Sequence, residues 1–145
     1  MHPDLCYDRR IHMMLGSKLL LQASLRRTSD LLTLVSYTLQ KGGFILRIAI
    51  IDDLEMDARQ LADQIMTYMA KHRIPADTPE IFPGGEEFLA GFMPGVYDII
   101  FLDIYMNGIN GMETARKIRL WDTSCHIIFV TTSSDFAVDS YEVKA

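Results

Sequence analysis

The chain has 145 residues, 49% hydrophobic and 23% charged, with a formal net charge of −5. That is enough for one domain with a sizeable core, and the acidic balance argues against a chain whose main task is gripping nucleic acid. No apolar run reaches the length of a membrane span, and Cys6 and Cys125 match no metal or redox spacing, which points to a reducing compartment.

Charge divides the chain. Residues 1–43 carry +3 and the remainder −8. Arg9-Arg10 before Ile11 to Leu15 resembles the start of a signal peptide, but Lys18 interrupts the apolar run and no small-residue cleavage pattern follows. The first part has apolar clusters without a steady period; a helix around Met13 to Leu25 is one reading of it. From Leu46 onward, apolar runs alternate with helical periodicity. Leu46 to Ile51 predicts a buried strand, and Leu54 to about His72 a helix with Leu54, Ala58, Leu61, Ile65 and Met69 on its inner stripe. Pro79 to Phe82 predicts a short strand, Pro83-Gly84-Gly85 a turn, and Glu86 to about Met93 a short helix. Tyr97 to Leu102 predicts a strand, Gly111 to Trp121 a helix, His126 to Val130 a strand and Ser134 to Val143 a last helix. Strands apolar on both faces require a parallel sheet covered on both sides. The expected fold is α/β: a doubly wound, flavodoxin-like sheet of order 2-1-3-4, with the fifth strand and fifth helix of such a series missing.

Two of these strands end on acids. Ile51 is followed by Asp52-Asp53, and Leu102 by Asp103. An unpaired charge at the end of a buried strand costs several kcal/mol to desolvate, so packing alone does not place it there. In a sheet of this order the two strands are neighbours, and the crevice above their C-terminal ends is where ligands bind. Two carboxylates roughly 5 Å apart repel by about 3 kcal/mol at an effective dielectric of ~20, a penalty that a divalent cation removes. Oxygen donors without His or Cys favour magnesium over zinc or copper. Either Asp52 or Asp53 alone reads more simply as a cap of the following helix; the joint pattern carries the metal reading. Thr131, ending the fourth strand, offers a hydroxyl at the same edge, although a lone strand-end hydroxyl is more commonly structural. His126 reads as a packing or capping residue, Trp121 as helix-end packing, and Glu86-Glu87 as a solvated first turn.

The stretches IAIIDD (Ile48 to Asp53), DIYMNGING (Asp103 to Gly111) and IIFVT (Ile127 to Thr131) resemble the receiver domain of bacterial two-component response regulators, over about residues 45–145. Each motif is weak; their order and spacing together are strong. The tail SDFAVDSYEVKA resembles the subgroup whose output is a LytTR-type DNA-binding domain. The resemblance implies that Asp103 accepts a phosphoryl group from a sensor histidine kinase. It implies magnesium held by Asp52, Asp53, Asp103 and the backbone carbonyl of Tyr105, with Thr131 closing on the phosphoryl group. Gly108 and Gly111 are expected to shape the turn beside the acceptor. Asn107 stands where proline is usual, and Thr132 where a smaller residue is common. The implied protein is a cytoplasmic phosphoacceptor rather than an enzyme, capable of receiver dimerisation and with no direct contact to nucleic acid or membrane.

The resemblance departs at the C-terminus. A fifth strand with a switch aromatic and a Lys-Pro ending, then a fifth helix, are expected beyond Lys144-Ala145, and Lys144 is too close to the last helix to be the family's lysine. Residues 45–145 therefore read as an incomplete receiver, with His126 to Val130 as an exposed sheet edge and residues 44–145 marginally stable alone. Residues 1–44 read as an extension, disordered or non-native, with Lys41-Gly42-Gly43 encoded by a ribosome-binding-site-like run and Leu46 as a start codon. Two other readings compete. A haloacid-dehalogenase-type phosphatase also uses a strand-end Asp and magnesium, but needs a second Asp where Tyr105 stands. A degenerate module would keep the fold as an interaction surface and not switch.

Overall fold

Ile48–Ile51 and Ile99–Asp103 are buried at every position, the pattern that a two-faced parallel sheet demands. The computed structural model describes residues 11–15, 18–22 and 45–131. In chain order these form β1 (Ile11–Leu15), β2 (Lys18–Gln22), β3 (Ile48–Ile51), α1 (Glu55–Lys71), β4 (Glu80–Phe82), α2 (Gly85–Gly91), β5 (Ile99–Asp103), α3 (Gly111–Arg119) and β6 (His126–Thr131). One sheet runs β1-β2-β6-β5-β3-β4. Its four parallel strands, β4-β3-β5-β6, have the predicted 2-1-3-4 order.

Side chains alternate between the faces of these strands with a period of two. Ile48, Ile50, Ile99, Phe101, Ile128 and Val130 pack on one side with Ala58, Leu61, Ile65 and Met69 of α1. Ala49, Ile51, Ile100, Leu102, Ile127 and Phe129 face the other side, where Phe88 of α2 and Met112, Ala115 and Ile118 of α3 cover them. Two helices are shorter at one end than the sequence predicts. Leu54 is the α1 N-cap rather than part of its buried stripe and is exposed. α3 stops at Arg119, leaving Trp121 71% exposed rather than packed. Asn110 caps α3 by accepting the Glu113 N–H at 2.8 Å, which fixes where the helix begins.

The helix reading of the N-terminal part fails in an informative way. Instead of a helix around Met13 to Leu25, β1 and β2 form an antiparallel pair, and β2 pairs antiparallel with β6 through Leu19–Thr131, Leu20–Val130 and Leu21–Phe129. The β6 edge is therefore not bare. A helix cannot answer a strand's row of N–H and C=O groups; another strand can. The remaining residues of 1–44, and the expected helix over 134–143 with Thr132 and Lys144, lie outside the described residues. Deleting residues 1–43 removes the β6 partner strand. The expected result is a lower melting midpoint and light scattering that grows with protein concentration. A deletion variant that stays monomeric with an unchanged midpoint would refute it.

The turn between α3 and β6 is organised by Asp122, which is 4% exposed. Its carboxylate accepts the N–H of Gly95 at 2.8 Å, of Ser124 at 2.7 Å and of Cys125 at 3.0 Å, and the Ser124 hydroxyl at 2.8 Å. Burial pushes its pKa up, but these donors outweigh burial and hold it at about 2. A carboxyl depressed in the folded state stabilises it above the unfolded value, near 3.8, and that contribution fades as pH falls toward 2. After discounting for solvent, the contribution is on the order of 1–2 kcal/mol. Asp122→Ala is expected to cost about 2–4 kcal/mol at neutral pH in chemical denaturation, because it leaves the buried Cys125 N–H without its partner and removes the bonds to Gly95 and Ser124 as well. Its deficit should shrink between pH 4 and pH 2; a pH-independent deficit would refute the assignment.

Candidate functional site

The parallel register brings the strand-end acids together. Ile51 pairs with Leu102, so Asp52 and Asp103 follow side by side at the C-terminal ends of β3 and β5. One carboxylate oxygen from each of Asp52, Asp53 and Asp103 lies within 4.8 Å of the others. Asp52 is 2% exposed and Asp103 6%, whereas Asp53 is half-buried. Asp103 pairs with Val130 in β6, which places Thr131 one residue further along the neighbouring strand. The Thr131 backbone is part of β6; its side chain lies outside what is described. An open cleft of about 620 Å³ adjoins Asp52 and Asp53, lined also by Arg59, Asp63 and Pro83.

Local hydrogen bonds hold each acid. Asp52 Oδ1 accepts the Leu54 N–H at 2.9 Å, a local turn ahead of α1 rather than the helix cap that the sequence suggested, because Leu54 is the N-cap and carries no side-chain cap bond. Asp103 Oδ1 accepts the Tyr105 N–H at 3.2 Å, turning the chain directly after the strand. Asp53 Oδ2 accepts the Asn107 N–H at 2.9 Å across the crevice. The donor set fits a hard divalent cation: three clustered carboxylates, all oxygen, two of them buried, repelling one another by about 3 kcal/mol per pair at an effective dielectric of ~20. Asp52, Asp53 and Asp103 would hold it.

The two glycines after Asp103 do different jobs. Gly108 has φ +77°, a left-handed conformation that suits glycine. Gly111 does not. It is required by crowding, because a Cβ there would overlap the Asp103 carbonyl oxygen and sit 2.8 Å from Ile104 Cα. Sequence reasoning missed Glu86. Its Oε1 accepts the Ile109 N–H at 2.9 Å, and that bond draws its carboxyl below the usual range. Glu86 is thus a brace for the loop as well as an acid in the first turn of α2. The signal was the glycine opposite it, which leaves room for the carboxylate.

Comparison with known proteins agrees with this geometry. The family model for the response regulator receiver domain matches residues 48–145. The chain belongs to that family, the phosphoacceptor domains of two-component signalling. Over 92 residues it is 34% identical to the sensory transduction protein LytR of Staphylococcus epidermidis, covering 63% of this chain and 36% of that one. Over 63 residues it is 40% identical to LytT of Oceanobacillus iheyensis, covering 42% and 26%. These relatives agree with the LytTR-subgroup resemblance, and the chain spans about a third or less of their length. The response regulator DrrB of Thermotoga maritima superposes with a TM-score of 0.58 at 20% identity, over 70% of this chain and 43% of that one. The BeF3-activated DrrB receiver domain gives 0.54 at 21% identity, over 70% and 80%. Both show the shared fold. Among the described residues no helix is long and apolar enough to cross a membrane.

Proposed function

We propose that this chain takes a phosphoryl group onto Asp103 from the phosphohistidine of a sensor kinase. The observation that carries the reading is the gathering of Asp52, Asp53 and Asp103 at one sheet end, within 4.8 Å. In the step, an Asp103 carboxylate oxygen attacks phosphorus, the bond from phosphorus to the histidine nitrogen breaks, and an acyl phosphate forms. Asp52, Asp53, Asp103 and the Tyr105 carbonyl would hold magnesium, which when bound would offset the negative charge on the phosphoryl oxygens. Asp103 is buried at the end of β5, and the Tyr105 N–H that bonds its Oδ1 restrains its rotation. Thr131 offers its hydroxyl to the phosphoryl group.

The chain then acts as a cytoplasmic regulatory domain whose chemistry ends at self-phosphorylation and autodephosphorylation. It partners a histidine kinase, can pair with a second receiver, and in the full-length relatives' arrangement would control a DNA-binding output. The test is acetyl phosphate with magnesium chloride. The expected product carries one hydroxylamine-sensitive phosphoryl group, and chelation of the metal prevents its formation. A protein that folds, binds magnesium and takes up nothing would instead be the non-switching interaction module. Turnover of a monoester would point to a phosphatase.

A further inference from the structure

The loop between β5 and α3 spans residues 104–110 and carries the Tyr105 carbonyl. A bond from the Asn107 main-chain N–H to Asp53 Oδ2 at 2.9 Å ties it to the opposite side of the crevice. The two residues lie 54 positions apart in sequence, on segments following different strands. Asn107 is itself exposed. Proline, the residue usual at this point of the receiver pattern, has no N–H and cannot make the bond. We propose that the Asn107 main-chain N–H is a positioning group for the magnesium site, a clip present because this residue is not proline. This inference rests on the magnesium reading above.

The physical case is preorganisation. Asp53 is the least buried of the three acids and is pushed outward by the other two. A hydrogen bond from a main chain that is itself braced holds it in the cluster. The bracing is visible: Glu86 holds the next turn through the Ile109 N–H at 2.9 Å, and the Gly111 N–H is bonded to the Ile104 carbonyl at 2.9 Å. The bond does not remove a ligand. Each carboxylate oxygen has two lone pairs, so Asp53 can accept one N–H and still offer lone pairs to a cation. The clip also fixes the loop bearing the Tyr105 carbonyl relative to Asp53, so two donors are set against each other by the protein itself. Outer partners of this kind govern the orientation of metal ligands.

Magnesium chloride binding by isothermal titration to the full chain, with Asn107→Pro and Asn107→Ala, tests this. Asn107→Pro is expected to bind roughly tenfold more weakly, the low end for losing an outer partner, while Asn107→Ala, which keeps the N–H, stays within about twofold of the parent. A second measurement leaves position 107 intact. The Asn107 amide is expected to exchange slowly for an exposed residue, and to exchange faster in Asp53→Ala. Equal affinity in all three proteins overturns the proposal, as does Asn107→Ala failing as badly as Asn107→Pro, which would make the side chain responsible. Unprotected exchange of the Asn107 amide in the parent also overturns it. If the parent protein does not bind magnesium at all, the magnesium reading fails and takes this inference with it; a parent that binds normally while Asn107→Pro binds equally well defeats the clip alone.

Discussion

Asp103→Asn is expected to take up no phosphoryl group from acetyl phosphate and to melt at a higher temperature than the parent when magnesium is withheld. The first effect follows because a neutral amide is no nucleophile toward phosphorus; the second is electrostatic. Asp103 is 6% exposed and shares a space of 4.8 Å with Asp52 and Asp53. At an effective dielectric of ~20 each such pair repels by about 3 kcal/mol, and the amide removes two of the three pairs. Solvent around half-buried Asp53 reduces the gain, so a net stabilisation of about 1–3 kcal/mol is expected in denaturant titration. The amide oxygen can still accept the Tyr105 N–H, so the turn after β5 is retained. Added magnesium should narrow the difference between the two proteins, because the parent gains an ion that the variant holds less well. A variant less stable than the parent without magnesium would show that the carboxylates do not repel as described.

Gly111→Ala is expected to cost about 3 kcal/mol or more and to disable the site at the same time. Glycine to alanine within a helix ordinarily stabilises, by about 0.4–1 kcal/mol. Gly91, at the end of α2, meets that description: its Cβ would touch nothing within 4 Å, and Gly91→Ala should be neutral to stabilising. At Gly111 the added carbon would overlap the Asp103 carbonyl and come within 2.8 Å of its carbonyl carbon. Backbone cannot rotate away as a side chain can, so either β5 or α3 must shift, and overpacking of this kind costs about 1–3 kcal/mol even where side chains can give. Against a domain stability of about 5–15 kcal/mol this is large. Thermal melts of the two variants side by side check it; equal midpoints would refute the crowding account.

The four parallel strands, the three helices among the described residues and the acid cluster were legible in the sequence, because each rests on a short-range pattern. Near-continuous apolar runs announce strands buried on both faces, and Asp52, Asp53 and Asp103 stand at the ends of two of them. What failed were features depending on a partner distant in sequence. Trp121 and Leu54 look like core residues by composition, yet both fall just outside a helix end and face solvent. Glu86 looks like an ordinary first-turn acid, and only the loop after β5 gives it a bonding partner.

The sequence alone determined the fold class, the strand order and which acids would meet, because the residue period fixes which faces are buried and the doubly wound order makes β3 and β5 neighbours. The tertiary structure alone decided what covers the β6 edge. A strand's choice of neighbour is set by which hydrogen-bonding edge remains open, and that is a property of the assembled sheet. The same holds for the bond from Asn107 to Asp53: a missing proline is visible in one dimension, and the carboxylate its N–H reaches is visible only in three.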